Sequence, residues 1–168
     1  MVRKADGSWR PCGDYRRLNL ATKRDRFPPP HIEDLSAQLK GKVIFTKLDL
    51  RKGYHQVPVA EADRCKTAVI TPFGLFEYNR MSFGLMNAGQ SFQRLMDQVL
   101  AGIPHVFVYL DDVLITSESL EQHRRDVEAV LRRLQAHGFV INGEKCVWAA
   151  SSVDYLGHHI SAAGVAPL

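Results

Sequence analysis

An α+β fold, with helices packed on one face of an antiparallel sheet, is what this sequence predicts. Three observations carry the prediction. Short apolar strands are interspersed with stretches of helical spacing. Strand pairs are separated by turns too tight for anything but antiparallel pairing. One long amphipathic stretch, 120–137, has both a start and a stop signal.

Taken in order, the first thirty residues are basic and broken. Asp6-Gly7 is a turn dipeptide, and Val2-Arg3-Lys4 before it with Ser8-Trp9-Arg10 after it reads as a hairpin. Phe27-Pro28-Pro29-Pro30 reads as an extended linker, because proline fixes φ and lacks a donor. Ile32, Leu35 and Leu39 predict a short helix over 31–39. Val43 to Leu50 reads as a strand. Lys66 to Thr71 and Leu75 to Tyr78 read as two more, joined at Pro72-Phe73-Gly74. Residues 90–101 carry Phe92, Leu95, Met96, Val99 and Leu100 at amphipathic-helix spacing. Val106 to Tyr109 and Val113 to Thr116 are short strands flanking Asp111-Asp112. In 120–137, Ser119 with Gln122 forms a capping box, Leu120, Val127, Val130, Leu131 and Leu134 line one face, and Gly138 ends the helix. Phe139 to Ile141 and Val153 to Leu156 read as closing strands.

Composition narrows the class. The 168 residues suit one domain, and 45% hydrophobic content supplies a core. A formal charge of +4 permits a nucleic-acid partner without requiring one. Three cysteines with no CxxC pair predict reduced thiols in an intracellular protein. No apolar run approaches the roughly 18 residues that span a membrane, so no membrane partner is expected.

The chemistry begins at Asp111-Asp112. Adjacent carboxylates at a turn against a core repel, unless cations neutralise them. A plain hairpin turn is an equally good reading of the dipeptide alone. Asp49 ends a separate apolar strand. Beside the hairpin it would complete a set of three carboxylates able to hold two hard divalent ions about 3.5–4 Å apart.

At this point the motifs resemble those of reverse transcriptases. Phe107-Val108-Tyr109-Leu110-Asp111-Asp112-Val113-Leu114-Ile115 is similar to their signature hairpin. Leu48-Asp49-Leu50-Arg51-Lys52-Gly53-Tyr54-His55-Gln56-Val57 resembles the segment bearing their first catalytic aspartate. Met81-Ser82-Phe83-Gly84-Leu85-Met86-Asn87-Ala88 with Ser91-Phe92-Gln93 resembles the segment that supports template and nucleotide. Tyr155-Leu156-Gly157-His158 resembles the primer grip, and Trp9-Arg10-Pro11-Cys12-Gly13-Asp14-Tyr15-Arg16 with Leu18-Asn19 the fingers strand. The motifs occur in the family's order over nearly the whole chain, and their wording is nearest to gypsy-type long-terminal-repeat retrotransposons.

The resemblance implies a right-hand polymerase palm plus partial fingers, with 1–42 and about 64–80 in the fingers and 43–63 and 81–168 in the palm. It implies a fragment of a polyprotein, truncated at both ends, whose thumb, connection, ribonuclease H and integrase lie elsewhere. The implied activity is RNA-directed DNA polymerisation on an RNA or DNA template with a primer, using dNTPs and two Mg²⁺ ions, with Mn²⁺ as a substitute. Asp49, Asp111 and Asp112, with the Leu50 carbonyl, would bind the metals. Arg10, with Lys4 or Arg3, would clamp the triphosphate. Lys52 and Gly53 would offer amides to phosphates, Tyr54 would exclude the 2′-OH, and Phe83 and Gly84 would lie near ribose and base. Arg16, Gln93, Tyr109, Leu110, Leu156 and Gly157 would meet template and primer. The family's setting implies a cytoplasmic virus-like particle, with the nucleus as an alternative.

Some residues depart from the family pattern. Ser82 and Gly89 stand where it often has proline, and Gly13 replaces an apolar residue. Two other readings stay open: a truncated or domesticated non-catalytic nucleic-acid-binding remnant, and an RNA-directed RNA polymerase, which Tyr54 argues against. His158-His159 with Cys146 has the wrong spacing for a zinc finger. Arg124-Arg125 and Arg132-Arg133 read as a solvated helix face.

Overall fold

Two strands with buried apolar side chains, 44–49 with Phe45 and Leu48 and 112–117 with Val113, Leu114 and Ile115, pair with each other at the centre of the largest sheet. The computed structural model describes residues 2–3, 7, 9–10, 12–28, 30–31, 35–36 and 38–168. In chain order the elements are β1 (Val2–Arg3), β2 (Trp9–Arg10), α1 (Arg16–Ala21), β3 (Ile44–Asp49), α2 (Glu61–Arg64), β4 (Val69–Thr71), β5 (Gly74–Phe76), α3 (Ala88–Val99), β6 (Val106–Tyr109), β7 (Asp112–Ser117), α4 (Leu120–Ala136), β8 (Val147–Ala150), β9 (Ser152–Tyr155), β10 (His158–Ser161) and β11 (Gly164–Pro167). Short 3₁₀ turns occupy Gly53–Gln56, Cys65–Thr67 and Gly143–Lys145.

The chain divides into two compact units, Met1–Phe27 with Lys52–Phe92, and Pro28–Arg51 with Gln93–Leu168. These boundaries differ from the division at 42/43, 63/64 and 80/81 drawn from motif order. Leu35 and Leu39 are buried in the core of the second unit with Phe45 and Leu114, so 28–42 groups with that unit and not with 1–27. The rings of Tyr54, Phe83 and Phe92 pack together, which keeps 53–56 and 81–92 in the first unit.

In the larger unit a four-stranded sheet runs β6-β7-β3-β8, every neighbour antiparallel. Strand side chains alternate between faces. Phe45 and Leu114 therefore face one way, into a cluster with Leu35, Leu39, Phe107, Val153, Tyr155 and Ile160. Thr46, Ile115 and Ser117 face the other way, toward α4. There Thr46 Oγ1 and Ser117 Oγ meet His123, Nε2 at 2.7 Å and Nδ1 at 2.9 Å. A second sheet, β11-β10-β9, is also antiparallel.

Helix α4 starts as its sequence demands, with Ser119 accepting from the Gln122 amide. Its buried face is not the leucine-valine stripe alone: His123, Asp126, Val130 and Leu134 are buried, while Leu120 is 58% exposed. The polar pair is tolerated because each group has a partner with one consistent direction. The Ala149 amide donates to Thr46 Oγ1, Thr46 to His123 Nε2, His123 Nδ1–H to Ser117 Oγ, and Ser117 to Asp126 Oδ2. In this direction the imidazole is neutral, protonated on Nδ1. Arg133 is not a solvated charge either, since its guanidinium donates to the carbonyls of Val99 and Ala101 and so caps α3. Arg132 and Arg125 pair with Glu128 and Glu121 on the exposed face, as expected.

The smaller unit has two ribbons, β1-β2 and β4-β5. Val2 pairs with Arg10 and Arg3 with Trp9, the hairpin expected around Asp6-Gly7. Ile70, Phe73, Leu75 and Phe76 on the β4-β5 ribbon are all exposed. Residues 31–39, predicted helical, lie partly outside the described residues. Phe139 to Ile141 form no strand; Ile141 makes an isolated bridge with Leu50, and the place of a closing strand is taken by β8. Among the described residues no helix is long and apolar enough to cross a membrane.

Burial pushes the His123 proton affinity down from the ordinary 6.5, with Asp126 opposing. The unfolded chain then takes up the proton first as pH falls, so stability is full above the ordinary histidine range and declines below it. Urea unfolding at pH 8, 7, 6 and 5 is expected to show a loss that starts below about 6.5, with most of that pH dependence removed by His123→Gln. A flat wild-type profile would show that folding leaves the His123 proton affinity unchanged, and a stability that rises toward pH 5 would show the imidazole charged in the fold.

Candidate active site

Asp49 is the last residue of β3 and Asp112 the first of β7, and the register sets them directly opposite each other. Directly opposed residues share a face, and alternation makes it the face of Phe45 and Leu114, away from α4. Asp111 lies in the two-residue bend between β6 and β7, where Tyr109 pairs with Asp112. The Leu50 amide donates to the Asp111 carbonyl at 3.2 Å, stitching the end of β3 to the bend. The three predicted carboxylates are thus brought to one end of one sheet.

Their charges act on each other. Asp112 holds its proton more tightly than an ordinary aspartate, chiefly through burial, then through Asp111 and, more weakly, Asp49; Lys47 opposes. Among the described residues no group of three or more His, Cys, Asp or Glu side chains closes on one point as a ready-made ion cage. An oxygen-only, acidic and partly buried donor set still fits a hard divalent cation, which commonly takes one or two carboxylates and completes its shell with substrate oxygens and water.

The bend is held in an unfavourable conformation. Leu110 has φ 52°, a left-handed backbone that costs a non-glycine residue about 1–2 kcal/mol. Gln93 of α3 secures it from behind. The Gln93 Oε1 accepts from the Leu110 amide at 2.8 Å, and its Nε2 donates to the Val108 carbonyl at 3.0 Å and to Asp97 at 2.9 Å. Gln93 is 1% exposed, which places it behind the bend rather than on the surface where a template contact was expected. A polar residue on the apolar face of α3 was the signal for this role.

Asp49 is clasped by the turn before β8. The Asp49 amide donates to Cys146 Sγ at 3.4 Å, Cys146 Sγ donates to the Asn142 carbonyl at 3.2 Å, and the Asn142 amide donates to the Asp49 carbonyl at 2.8 Å. Three groups thereby close a ring around one peptide, and sequence spacing gave no sign of it. His158 and His159 bond instead to the Leu156 carbonyl and to Asp154, apart from Cys146.

The other predicted residues fall as follows. In the smaller unit Lys52 has φ 53° at the start of the Gly53–Gln56 turn, and Gly53 is buried. The Tyr54 ring lies 5.2 Å from Phe83 and 5.4 Å from Phe92. Gly84 has φ 91°, which favours glycine, and an added Cβ would come 3.4 Å from the Tyr15 ring. Gly13 leaves room for the same ring: a Cβ there would meet it at 2.5 Å, and the ring is pinned by its hydroxyl donating to the Thr67 carbonyl. Arg16 is exposed and forks onto Asp14, whose carboxyl it holds down at about 2. Ser82 is buried, and Asn87 ties the segment before α3 to Lys23 and Asp25. Arg10 pairs with Val2 in β2, and Lys4 lies outside the described residues. In the larger unit Leu156 and Gly157, both with positive φ, make the turn between β9 and β10.

With that geometry in place, comparison with known proteins is informative. Residues 2–160 match the family model described as reverse transcriptase (RNA-dependent DNA polymerase). The chain is 40% identical, over 168 residues, to the Transposon Tf2-3 and Tf2-4 polyproteins of Schizosaccharomyces pombe, covering 99% of this chain and 13% of each of theirs. Among solved structures it is similar to a foamy viral protease-reverse transcriptase in complex with double-stranded DNA, with TM-score 0.93 and 24% identity over 99% of this chain and 30% of that one. It is also similar to the native Prototype Foamy Virus protease-reverse transcriptase, with TM-score 0.82 and 27% identity over 93% of this chain and 21% of that one.

Replacing Gln93 by Ala strands the Leu110 amide and the Val108 carbonyl, and is expected to lower unfolding free energy by about 2–3 kcal/mol. Gln93→Glu, which keeps the acceptor but loses the donor beside Asp97, is expected to do no better. Urea denaturation of both variants checks this; a loss under about 0.5 kcal/mol would mean the bend holds itself.

Proposed function

The chain belongs to the reverse transcriptase (RNA-dependent DNA polymerase) family, and from that premise we propose that it is the template- and primer-dependent nucleotidyl-transfer domain of a gypsy-type retrotransposon polyprotein. The observation that carries the reading is the β3–β7 register, which sets Asp49 opposite Asp112 with Asp111 in the adjoining bend. The likeness to transposon polyproteins supports the polyprotein setting. The chain spans 13% of their length, so the activity of the whole protein is part of the proposal.

The family uses divalent metal ions. Asp49, Asp111 and Asp112, with the Leu50 carbonyl, would hold two Mg²⁺, with Mn²⁺ as a substitute. When bound, such ions supply charge neutralisation at the attacking and leaving oxygens of phosphoryl transfer. The chain's own contribution is placement. Paired strands, the Gln93 support and the Asn142–Cys146 ring fix the carboxylates before substrate arrives, so little reorganisation is left for the reaction. The substrates in this reading are a primer 3′-hydroxyl, a template of RNA or DNA, and a deoxynucleoside triphosphate, whose pyrophosphate leaves. Complexes of the foamy viral relatives with DNA and with RNA/DNA hybrid support a nucleic-acid partner.

On the smaller unit we assign sugar discrimination to Tyr54. Its ring is backed by Phe83 and Phe92, and a ring so supported resists displacement by a 2′-hydroxyl. Lys52 and Gly53 are assigned to the triphosphate through their amides, and Arg10 and Lys4 through charge.

Two measurements test this. In the polyprotein-derived polymerase, Asp111→Asn is expected to abolish Mg²⁺-dependent primer extension, a loss of about 10³-fold or more, with circular dichroism unchanged; substantial residual extension would sink the assignment. Tyr54→Val is expected to raise ribonucleotide incorporation relative to deoxynucleotide by at least about ten-fold, the effect of roughly 1.4 kcal/mol of lost discrimination. An unchanged ratio would leave Tyr54 a packing residue.

A further inference from the structure

Tyr155 ends β9 on the second sheet of the larger unit. It is 1% exposed, and its ring stands edge-on to Phe107 with centroids 6.1 Å apart. Packing alone would be satisfied by phenylalanine. The hydroxyl, however, donates to the main-chain carbonyl of Asp112 at 3.0 Å.

The position of this bond in the chain gives it meaning. Asp112 is one of the three carboxylates, and Leu156 and Gly157, the next two residues after Tyr155, form the left-handed turn into β10. A single side chain therefore links the backbone of a proposed metal ligand to the turn proposed to hold the primer. Both segments are otherwise joined to different sheets. The two sheets share no strand; this contact, the ring packing beneath it and the Lys47 ammonium donating to the Asp154 carbonyl at 2.9 Å hold them together.

We propose that Tyr155 is a positioning residue whose hydroxyl fixes the separation between Asp112 and the Leu156–Gly157 turn, and so aligns the primer terminus with the metal-binding carboxylates. This rests on the polymerase reading given above. A tether of this kind acts on the alignment of reacting groups more than on the binding of either one. Its removal lowers the rate of the bond-forming step and weakens metal binding while nucleotide affinity stays the same.

The test is Tyr155→Phe in the polyprotein-derived polymerase, which keeps the ring and deletes only the donor. Single-turnover addition of one nucleotide, normalised to active sites, is expected to slow about ten-fold, with the nucleotide concentration for half-maximal rate changed by less than about two-fold. Mn²⁺ binding to the 168-residue chain, read by the electron paramagnetic resonance of free ion, is expected to weaken several-fold. Val153→Ala, in the same strand but without a contact to Asp112, is expected to lower the melting temperature and leave both readouts at wild-type values. Wild-type rate and Mn²⁺ affinity in Tyr155→Phe would overturn the proposal. So would a Tyr155→Phe chain that fails to fold, because the hydroxyl would then be holding the core rather than placing Asp112. If the wild-type chain neither extends primers nor binds Mn²⁺, the polymerase reading itself fails, a result distinguishable from either of these.

Discussion

Strand side chains point alternately to opposite faces, so a slip of one residue between β3 and β7 would turn Asp49 away from Asp112 and toward α4. It would also carry Phe45 out of its cluster with Leu114 and drag Thr46 off His123. The register is therefore fixed twice, by an apolar cluster on one face and by a polar chain on the other. The carboxylates inherit their position from contacts that have nothing to do with metal. That separation suits an acidic site, because the acids themselves repel and cannot organise their own approach.

What repulsion would loosen, three neighbouring elements restrain. Helix α3 sends Gln93 to the strained Leu110 bend, the turn before β8 closes around the Asp49 peptide, and β9 brings Tyr155 to the Asp112 carbonyl. Each reaches a main-chain atom rather than a carboxylate oxygen. Strain at Leu110 survives because the surrounding structure overdetermines it, and such strain is common where a backbone must present a group to a ligand.

Much of this was legible from residues alone, and the reasons are specific. Val43 to Leu50 and 106–116 announce themselves by β-branched and apolar runs, and α4 by Ser119, its stripe and Gly138. The set of three acids follows from motif order. Other features left no such trace. Phe139 to Ile141 is apolar enough for a strand, but Gly138 and Asn142 bracket it too closely, and the edge of the sheet goes to 147–150, whose Ala149 takes φ 46°. His123 and Asp126 were legible only as polar, since their burial depends on Thr46 and Ser117, distant in sequence. The supports at Gln93, Cys146 and Tyr155 are long-range contacts to backbone, and backbone partners carry no residue code.

Gly13 and Tyr15 show how such contacts shape what the chain can become. The ring of Tyr15 occupies the volume that any side chain at 13 would need, and its hydroxyl anchors it to Thr67. Position 13 is not free to gain a side chain by itself. A chain acquiring an aliphatic residue at 13 would have to shrink or redirect position 15 beforehand, and the reverse order would pass through a clash with the ring. Acceptance of a side chain at 13 is thus contingent on 15, and the path between such variants has a direction.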